Sequence, residues 1–409
     1  MKEIKGSVLL LGVGGISMYQ LALAFLSLGY IVYGYDAKIS KYTNICLEHG
    51  ALITTKFDKS FLQVDFCVST GAIKENNKYI KALNKLGIKV YDRAFILGEF
   101  AKLFKCTIAI AGTHGKSTTS TLIYEILRAA NKKVSCHIGA DIDVPRFNLG
   151  DDYLVVEACE YNKSFLSIYP QIAVITNVEA EHMDSYKNMF NLRSAFLTVT
   201  KRAKLRFASE EKSTNFLTKL SGVEFVAKNK DKRILPKLKG EYNLKNISLA
   251  IAVAKRLGIE DDIIYSTINS FNGVPRRYQY IGGKDTKIYI DYAHHPTEVG
   301  AFIETFNKDY NNNLIVFQPH TYSRTKLLLP EFIKALSKAK ELCVYKEYPA
   351  RESPSAGISA YKLYLELRKN GLKCCYVASP KAVAKHIKGK NAVAFVGAGD
   401  INQIAQKFK

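Results

Sequence analysis

Residues Gly112 to Ser120, GTHGKSTTS, have the composition of a loop that holds nucleotide phosphates. They follow the apolar run CTIAIA and precede TLIYEILRAA, so the sequence predicts a strand, a glycine turn and a helix. Backbone N–H groups and the helix dipole favour phosphate oxygens in such a turn. We expect Lys116 to reach the β- and γ-phosphates and Ser117 to place its hydroxyl on Mg²⁺. The turn is a shortened variant, because Ile110 stands where the usual motif has its first glycine.

A second glycine turn, GVGGIS at Gly12 to Ser17, follows the apolar run SVLLL. A dinucleotide-binding fingerprint has Gly or Ala where Ser17 stands, but Asp36 lies about twenty residues further on, where a ribose-binding acid is expected. The turn therefore indicates either a nicotinamide dehydrogenase or a site for another diphosphate, such as that of a nucleotide sugar. Close packing of a helix against a strand is the purely structural alternative.

Acidic and imidazole side chains follow the next two predicted strands. VVEACE places Glu157 and Glu160 at the end of one strand, and TNVEAEHMD places Glu181 and His182 after another. The carboxyl ends of parallel strands meet at one edge of a sheet, where acids near bound phosphates allow Mg²⁺ to bridge them. We therefore predict that Glu157 and His182 lie at the nucleotide site.

Two more polar clusters follow predicted strands in the last third of the chain. DYAHHPTE comes after KIYI and carries His294 and His295, and QPHTYSRT comes after LIVF and carries His320 and Arg324. Both clusters lie where α/β proteins bind their ligands. The adjacent imidazoles have no third ligand at metal spacing, and neither GxSxG nor HExxH occurs. Covalent catalysis by a side chain is therefore not indicated.

The motifs lie in a chain of 409 residues, 47% hydrophobic and 23% charged, which suits two or three globular domains. Strand patterns such as YIVYGYD, YLVVEAC and AVAFVGAG alternate with helical patterns such as NLKNISLAIAVAKRLG. This alternation predicts α/β domains with doubly wound parallel sheets. We predict three domains, at residues 1–104, 105–274 and 275–409.

The formal charge of +22 is compatible with nucleic acid, membrane surfaces or small anions as partners. The densest cluster has six Lys or Arg residues between Lys228 and Lys239 against one acid, without interleaved aromatic residues. It therefore indicates a solvated surface, and we predict no nucleic-acid partner. An ATPase that acts on nucleic acid remains the alternative that the charge supports.

The segment from Ser7 to Tyr35 contains no charged residue and resembles a signal peptide or a membrane span. However, GVGG interrupts the run, and a strand, turn, helix and second strand account for all of it. The eight cysteines include no CxxC pair, which is typical of reduced thiols. We predict a cytoplasmic protein without membrane insertion.

Ten motifs, in this order and along nearly the whole chain, resemble the Mur ligase family. They are GVGGISM, GTHGKSTT, VVEACEYNKSFL, NVEAEHMDSY, GEYNLKN, FNGVPRRY, DYAHHPTE, FQPHTYSRT, YPARESPSAG and GAGDI. One motif alone would be weak, but the ordered set is specific. DYAHHPTE and PHTYSRT point to the branch of the family that adds L-alanine.

The resemblance implies one function for each predicted domain. A Rossmann-like N-terminal domain would hold UDP-N-acetylmuramate, a central P-loop ATPase-type domain would hold ATP and Mg²⁺, and a Rossmann-like C-terminal domain would help bind L-alanine. The implied reaction transfers the γ-phosphoryl group to the lactyl carboxylate, and the amine of L-alanine then attacks the acyl phosphate. Phosphoryl transfer of this kind needs mainly positioning and charge neutralisation.

The resemblance also assigns residues to these ligands. The ATP contacts implied are Gly112, Thr113, His114, Gly115, Lys116, Ser117, Thr118, Asn243, Asn246, Arg277 and Asp291. The substrate contacts implied are Gly12, Gly14, Gly15, Asp36, Ser69, Thr70, His295, His320 and Arg324. The metal ligands implied are Ser117 and Glu157 for one Mg²⁺ and His182 for a second. The catalytic residues implied are Lys116, Glu157, His182, Arg277 and His294.

Three positions depart from the commonest family pattern. Many members have Arg at Thr321 and Asp at Cys159, and they often have Thr at Ser117, which keeps the hydroxyl. A thiol at Cys159 would lie near bound metal. The main alternative function is a sister ligase that attaches a recycled murein peptide to UDP-N-acetylmuramate. A nicotinamide oxidoreductase would leave GTHGKS and DYAHHPTE unexplained.

Overall fold

The predicted strands form three separate sheets in a computed structural model, which describes residues 5–142, 150–350 and 352–409. The chain divides into two compact units: Met1–Leu235 with Leu244–Ser270, and Pro236–Asn243 with Phe271–Lys409. The first unit contains two of the sheets and the second unit contains the third. The prediction of α/β domains with parallel sheets is confirmed, and the domain boundaries at residues 104 and 274 stay a prediction.

The first sheet is entirely parallel, with strand order β3-β2-β1-β4-β5. Its strands are β1 (Gly6–Leu11), β2 (Tyr30–Tyr35), β3 (Leu52–Thr54), β4 (Phe66–Ser69) and β5 (Val90–Asp92). Its helices are α1 (Ile16–Ser27), α2 (Lys41–Glu48), α3 (Lys78–Lys85) and α4 (Arg93–Ala101), with a 3₁₀ turn at Lys59–Leu62. The apolar run of β1 is buried because helices cover both faces of the sheet.

The second sheet is also parallel, with order β11-β10-β9-β6-β8-β7. Its strands are β6 (Cys106–Ala111), β7 (Val134–His137), β8 (Tyr153–Glu157), β9 (Ile172–Ile175), β10 (Leu205–Ser209) and β11 (Val223–Val226). The helices that follow are α5 (Lys116–Ala129), α6 (Met183–Tyr186), α7 (Met189–Arg202), α8 (Glu241–Arg256) and α9 (Asp261–Ser270), with 3₁₀ segments at Tyr161–Ser167 and Asn215–Lys219. Because β6 and β8 are neighbours, the two segments that leave them start side by side.

The third sheet is mixed, with order β12-β13-β17-β14-β15-β16 and only the edge strand β12 antiparallel among its described strands. Its strands are β12 (Gln279–Gly282), β13 (Lys287–Asp291), β14 (Asn313–Phe317), β15 (Leu342–Tyr345), β16 (Cys374–Val377) and β17 (Ala392–Val396). Its helices are α10 (Pro296–Asp309), α11 (Tyr322–Leu327), α12 (Leu329–Leu336), α13 (Ala360–Lys369), α14 (Pro380–Ile387) and α15 (Ile401–Ala405), with 3₁₀ turns at Pro354–Ala356 and Gln406–Phe408.

The uncharged N-terminal segment forms β1, the glycine turn, α1 and β2, as the sequence predicts. Among the helices within the described part of the chain, none has the length and apolarity needed to cross a membrane.

Ser17 stands where a dinucleotide fingerprint has Gly or Ala, and its hydroxyl has polar partners in the folded protein. Its hydroxyl accepts a hydrogen bond from Arg93 Nη1 at 2.8 Å and lies 2.9 Å from His137 Nε2. Burial, followed by the charge of Arg93, lowers the pKa of His137 to about 3, so this imidazole is neutral. Ser17 therefore links the first helix of one sheet to the end of β7 in the next.

The two sheets of the first unit share one continuous cluster of buried apolar side chains. The cluster includes Val8 and Phe100 from the first sheet and its helices, and Ala109 and Val156 from the second. At Gly98 in α4 the backbones approach closely, because a Cβ built there would lie only 2.1 Å from the carbonyl oxygen of Ser167. Glycine is therefore required where α4 meets the 3₁₀ segment.

We expect Gly98→Ala to lower the free energy of unfolding by about 1–3 kcal/mol, because the new methyl group overlaps backbone that cannot move alone. Urea denaturation followed by circular dichroism measures this loss. Gly71→Ala is the matched control, since a Cβ there meets nothing closer than 3.8 Å. Equal stability of Gly98→Ala and wild-type protein would contradict the close approach.

Candidate active site

The glycine turn between β6 and α5 has the backbone of a phosphate-binding loop. Gly112 has φ 146° and Gly115, the N-cap of α5, has φ 80°. A Cβ on Gly112 would lie 2.0 Å from Thr176 Oγ1, and a Cβ on Gly115 would lie 2.3 Å from Asn246 Oδ1. Neither position accepts a side chain, so both glycines predicted from the sequence are fixed by conformation and by space.

The turn is braced by the segment that follows β9. The backbone N–H of His114 donates to Asn177 Oδ1 at 2.8 Å, and Asn177 Nδ2 donates back to the His114 carbonyl at 3.0 Å. Thr176 Oγ1 donates to the same carbonyl at 2.6 Å, while Thr113 Oγ1 accepts from the Glu179 N–H at 2.8 Å. These bonds fix the loop before any ligand binds, which is the preorganisation that charge stabilisation requires.

Lys116 lies at the start of α5 with only 14% of its side chain exposed, and its ammonium group meets carbonyl and carboxylate oxygens. Its Nζ donates to the carbonyls of Gly112 and Thr113 and lies 3.1 Å from Glu160 Oε2. Burial opposes the charge, but surrounding acidic groups, Glu160 foremost, raise the pKa of Lys116 above its usual range. The side chain is therefore cationic and positioned inside the turn.

Ser117 and Glu157 meet beside this lysine. Ser117 Oγ donates to Glu157 Oε2 at 2.9 Å, and the same carboxylate oxygen accepts from the Gly139 N–H at 2.9 Å. The sequence predicts this pair as ligands of one Mg²⁺. A hydroxyl and a carboxylate are the hard oxygen donors that Mg²⁺ prefers, so the residues present fit that ion.

His182 belongs to a neighbouring group of acids. The ligand atoms of Glu160, Glu181 and His182 all lie within 4.8 Å of one another, and His182 Nε2 is 3.6 Å from Glu160 Oε1. His182 has φ 55°, a left-handed conformation that turns the chain into α6. Two carboxylates and an imidazole also fit a divalent cation.

Sequence reasoning omitted Glu160 and Glu181 from the site. Both are buried, with 2% and 7% of their surface exposed, although acids are almost never buried without a partner. The signal was their position after β8 and β9, because Glu157 and His182 were predicted from the same strand ends.

Cys159 lies between Glu157 and Glu160 as a free thiol. Burial, followed by the charge of Glu160, raises the pKa of Cys159 to about 11. Without a bound ion, the thiol is therefore protonated at neutral pH and is a weak nucleophile.

Three other predicted ATP contacts occupy helices. Thr118 is buried in the first turn of α5. Asn246, in α8, lies against Gly115, because a Cβ built on that glycine would lie 2.3 Å from Asn246 Oδ1. Asn243 lies in the second unit, where its Nδ2 donates to the Lys239 carbonyl at 2.7 Å.

The first glycine turn has a different anchor. Gly12 has φ 86°, and the N–H of Gly14 donates to Asp36 Oδ2 at 2.9 Å. A Cβ on Gly14 would lie at the same 2.9 Å from that carboxylate, so Asp36 packs against the turn itself. Gly15 is the N-cap of α1. Asp36, predicted as a substrate contact, thus holds the backbone of the turn.

Ser69 is the last residue of β4 and Thr70 follows it; β4 pairs with β1, which brings both residues beside the first turn. A Cβ on Gly12 would lie 3.3 Å from Thr70 Cγ2, and one on Gly71 would lie 3.8 Å from Asn162 Nδ2. Asn162 comes two residues after Glu160. The loop after β4, beside the first glycine turn, therefore lies close to the segment that carries this acid.

In the second unit, Arg277 and His294 both contact Glu298. Asp291 lies buried at the end of a strand in the same unit. Arg277 Nη1 lies 3.0 Å from Glu298 Oε1, and the backbone N–H of His294 donates to Glu298 Oε2 at 3.2 Å. Asp291 ends β13 and accepts from the N–H groups of Tyr278 and Ala293, each at 2.7 Å. Burial raises the pKa of Asp291 to about 6, while the charge of Arg277 opposes the shift.

The remaining predicted contacts form a second group on this unit. Arg324 Nη1 lies 3.0 Å from His320 Nδ1, and the His320 ring stacks on Tyr348. The rings of His294 and His320 are 6.0 Å apart, so the two histidine motifs meet. His295 caps α10, where its Nδ1 accepts the N–H of Thr297 at 3.4 Å, and it is 5% exposed.

Comparisons with known proteins match this architecture along the whole chain. The Mur ligase family, catalytic domain, matches residues 8–105, the Mur ligase middle domain matches residues 110–208, and the Mur ligase, glutamate ligase domain, matches residues 276–399. A UDP-N-acetylmuramate–L-alanine ligase of Caldicellulosiruptor bescii is 36% identical, with 96% of each chain covered.

Two solved structures share the fold, each with 98% of both chains covered. A UDP-N-acetylmuramate-alanine ligase of Thermotoga maritima superposes with a TM-score of 0.82 at 24% identity. A murein peptide ligase of Psychrobacter arcticus superposes with a TM-score of 0.70 at 20% identity.

Glycine turns that open helices after β1 and β6, with acids at the ends of neighbouring strands, are typical of α/β proteins that bind phosphorylated ligands. The domain matches and the full-length relative make the classification narrower. The chain belongs to the Mur ligase family.

Because the raised pKa of Asp291 favours the protonated form in the folded protein, this residue stabilises the fold at low pH. The contribution is present below the unfolded pKa of about 3.9 and is lost as the pH rises through about 6. We expect Asp291→Asn to gain stability relative to wild type between pH 4 and pH 7, by up to about 3 kcal/mol. Urea denaturation across this pH range measures the difference.

The exposed Asp285, in the same unit, provides the control, since Asp285→Asn should show no such pH-dependent gain. A constant stability difference between Asp291→Asn and wild type across the range would exclude the raised pKa.

Proposed function

We propose that this Mur ligase joins L-alanine to the lactyl carboxylate of UDP-N-acetylmuramate, with conversion of ATP to ADP and phosphate. The observation that carries the proposal is the convergence of Lys116, Ser117 and Glu157 at the turn after β6. The full-length similarity to a ligase of that name supports the choice of substrates. The reaction would be an early step in building the peptidoglycan stem peptide.

ATP is proposed to bind with its phosphates over the turn from Gly112 to Ser117. N–H groups at the N-terminus of α5 and the ammonium of Lys116 would neutralise phosphate oxygens. Mg²⁺ would be held by Ser117 and Glu157, with His182, Glu160 and Glu181 as candidates for a second ion. When bound, the ions supply the positive charge that phosphoryl transfer between two anions requires.

The interaction of Lys116 with Glu160 would position the ammonium group before ATP binds. A cation held at 3.1 Å from a buried carboxylate is oriented into the turn, and the carbonyls of Gly112 and Thr113 limit its movement. Its charge is thus aimed at the position of the phosphates at no further entropic cost when ATP binds.

The nucleotide sugar is proposed to bind at the first glycine turn, with Gly12, Gly14 and Gly15 against the diphosphate and Ser69 and Thr70 beside it. Asp36 fixes the turn through the Gly14 N–H. The proximity of Gly71 to Asn162 supports a path for the sugar from this turn towards the acids after β8. The lactyl carboxylate would thereby reach the γ-phosphoryl group.

The chemistry then follows two steps. The lactyl carboxylate attacks the γ-phosphorus and releases ADP, and the amine of L-alanine attacks the resulting acyl phosphate and releases phosphate. Arg277, Asp291 and His294 are proposed as nucleotide contacts on the second unit. His295, His320 and Arg324 are proposed on the substrate side, where the guanidinium of Arg324 suits a carboxylate.

We also propose a cytoplasmic location, where nucleotide substrates and a reducing environment are found. The eight cysteines, all free thiols, support this location.

The decisive experiment measures phosphate release from ATP, Mg²⁺ and UDP-N-acetylmuramate, with and without L-alanine. Release that requires both, with a product heavier by one alanyl residue in mass spectrometry, is the expected result. Release with a muramyl-type tripeptide but not with L-alanine would instead identify the murein peptide ligase activity. No release with any amine would contradict both.

We expect Lys116→Ala to reduce turnover at least 1,000-fold, since a buried charge aimed at the phosphates is lost. Binding of UDP-N-acetylmuramate, measured by calorimetry, should remain nearly unchanged because the first glycine turn lies on another sheet. The exposed Lys132, just after α5, gives the control variant Lys132→Ala. Loss of sugar affinity in folded Lys116→Ala protein would count against the assignment of the two turns.

We expect Ser117→Thr to keep activity and Ser117→Ala to need roughly 10–100-fold more Mg²⁺ for half-maximal rate, since only the first keeps the hydroxyl. Initial rates over a Mg²⁺ titration at saturating ATP test this pair. An unchanged Mg²⁺ requirement in Ser117→Ala would remove this residue from the metal site.

A further inference from the structure

Two cysteines meet on the third sheet, far along the sequence from the glycine turns. Cys343 in β15 and Cys375 in β16 are directly paired in the parallel register, so their side chains leave the same face of the sheet. Their Sγ atoms are 2.7 Å apart, and both are free thiols. Cys343 is buried, whereas Cys375 is half-buried near the edge of the sheet.

A histidine from the covering helix completes this group. Val383 of α14 is fully buried in the same apolar cluster as Cys343, and His386 follows three residues later, on the same face of the helix. One ring nitrogen of His386 and the two Sγ atoms all lie within 4.8 Å of one another. His386 itself is exposed, which leaves one side of the group open to solvent.

The end of the helix that carries His386 favours a positive ion at this group. The carboxylate of Glu341, just before β15, acts electrostatically on both thiols and is paired with Lys390. His386 lies in the last turn of α14, where the negative end of the helix dipole attracts cations.

We propose that Cys343, Cys375 and His386 bind a thiophilic divalent cation, Zn²⁺, with solvent as the fourth ligand. Two thiolates and one imidazole match the ligand preference of zinc and exclude Mg²⁺, which takes oxygen ligands. At Zn–S distances of about 2.3 Å, tetrahedral coordination separates two sulfur atoms by about 3.8 Å. The cysteine pair therefore opens by about 1 Å, and the open side at His386 leaves room for the solvent ligand.

A bound ion would connect α14 to β15 and to the edge strand β16, two strands that are already paired in the sheet. Its release of thiol protons couples binding to pH, as for other thiolate sites. This site is independent of the proposed ligase function, because none of its residues belongs to the candidate active site.

Cobalt(II) serves as the probe, since thiolate-to-cobalt charge-transfer absorption reports sulfur ligation directly. Untagged, reduced, full-length protein is titrated with Co²⁺ in excess Mg²⁺, and bound Co²⁺ is then displaced with Zn²⁺. We expect one equivalent with charge-transfer absorption in wild type, its loss in Cys343→Ser and Cys375→Ser, and at least tenfold weaker binding in His386→Ala. The exposed position of His386 makes the last variant informative even if a cysteine variant folds poorly.

Cys374 is the matched control. It is adjacent in sequence but packs in the apolar cluster on the opposite face of the sheet, so Cys374→Ser should bind as wild type does. Zn²⁺ should also protect Cys375, but not Cys374, from alkylation by iodoacetamide in peptide mass spectrometry.

Three results would overturn the proposal. One is the absence of charge-transfer absorption in reduced wild-type protein. Another is absorption that persists in both Cys343→Ser and Cys375→Ser, which would assign the ligands to other cysteines. The third is equal alkylation of Cys375 with and without Zn²⁺. In that case, a Cys343–Cys375 disulfide in oxidised protein would identify the pair as a redox site.

Discussion

The burial of one positive charge, on Lys116, is the constraint on which the candidate active site depends. An ammonium group removed from water is tolerated only with close acidic partners, and loss of such a partner costs about 3–5 kcal/mol. Glu160 supplies the partner from the segment after β8. That segment is in turn held by Tyr186, whose hydroxyl donates to the Glu160 carbonyl, and by His182, which lies beside the Glu160 carboxylate. The position of the Lys116 partner thus depends on the segments that follow two strands and on α6.

The segments that carry Glu160 and His182 also contain residues with an unusual backbone conformation. Asn162 and Lys163, two and three residues after Glu160, both have positive φ, 51° and 57°, and His182 has φ 55°. Such conformations cost energy in residues other than glycine, and they persist where the surrounding structure determines them. They lie in the segments that follow β8 and β9, the same segments that bring Glu160 to Lys116 and His182 to Glu160. The strain and the buried charge are parts of one arrangement.

The sequence predicted the long apolar strands and both glycine turns, because a buried parallel strand requires a continuous apolar run and a tight turn requires glycine. It did not predict β3 or β16, which are short or carry few aliphatic residues. The role of Asp36 was also beyond sequence reasoning, since its partner is a backbone N–H fixed only by the folded turn. Spacing identified Glu157, but the pairing of Glu160 with Lys116 depends on two segments 44 residues apart.

The shared apolar core of the first two sheets has a consequence for how this chain can be divided. The match to the N-terminal family domain ends at residue 105, yet the side chains of Phe100 and Val156 belong to one buried cluster. A fragment that ends at this point would expose the apolar face of α4, which the second sheet covers in the intact chain. The first hundred residues match a family domain of their own, but they share a buried core with the second sheet. Autonomous fragments are better sought at the border between the two compact units than at the border between the first two sheets.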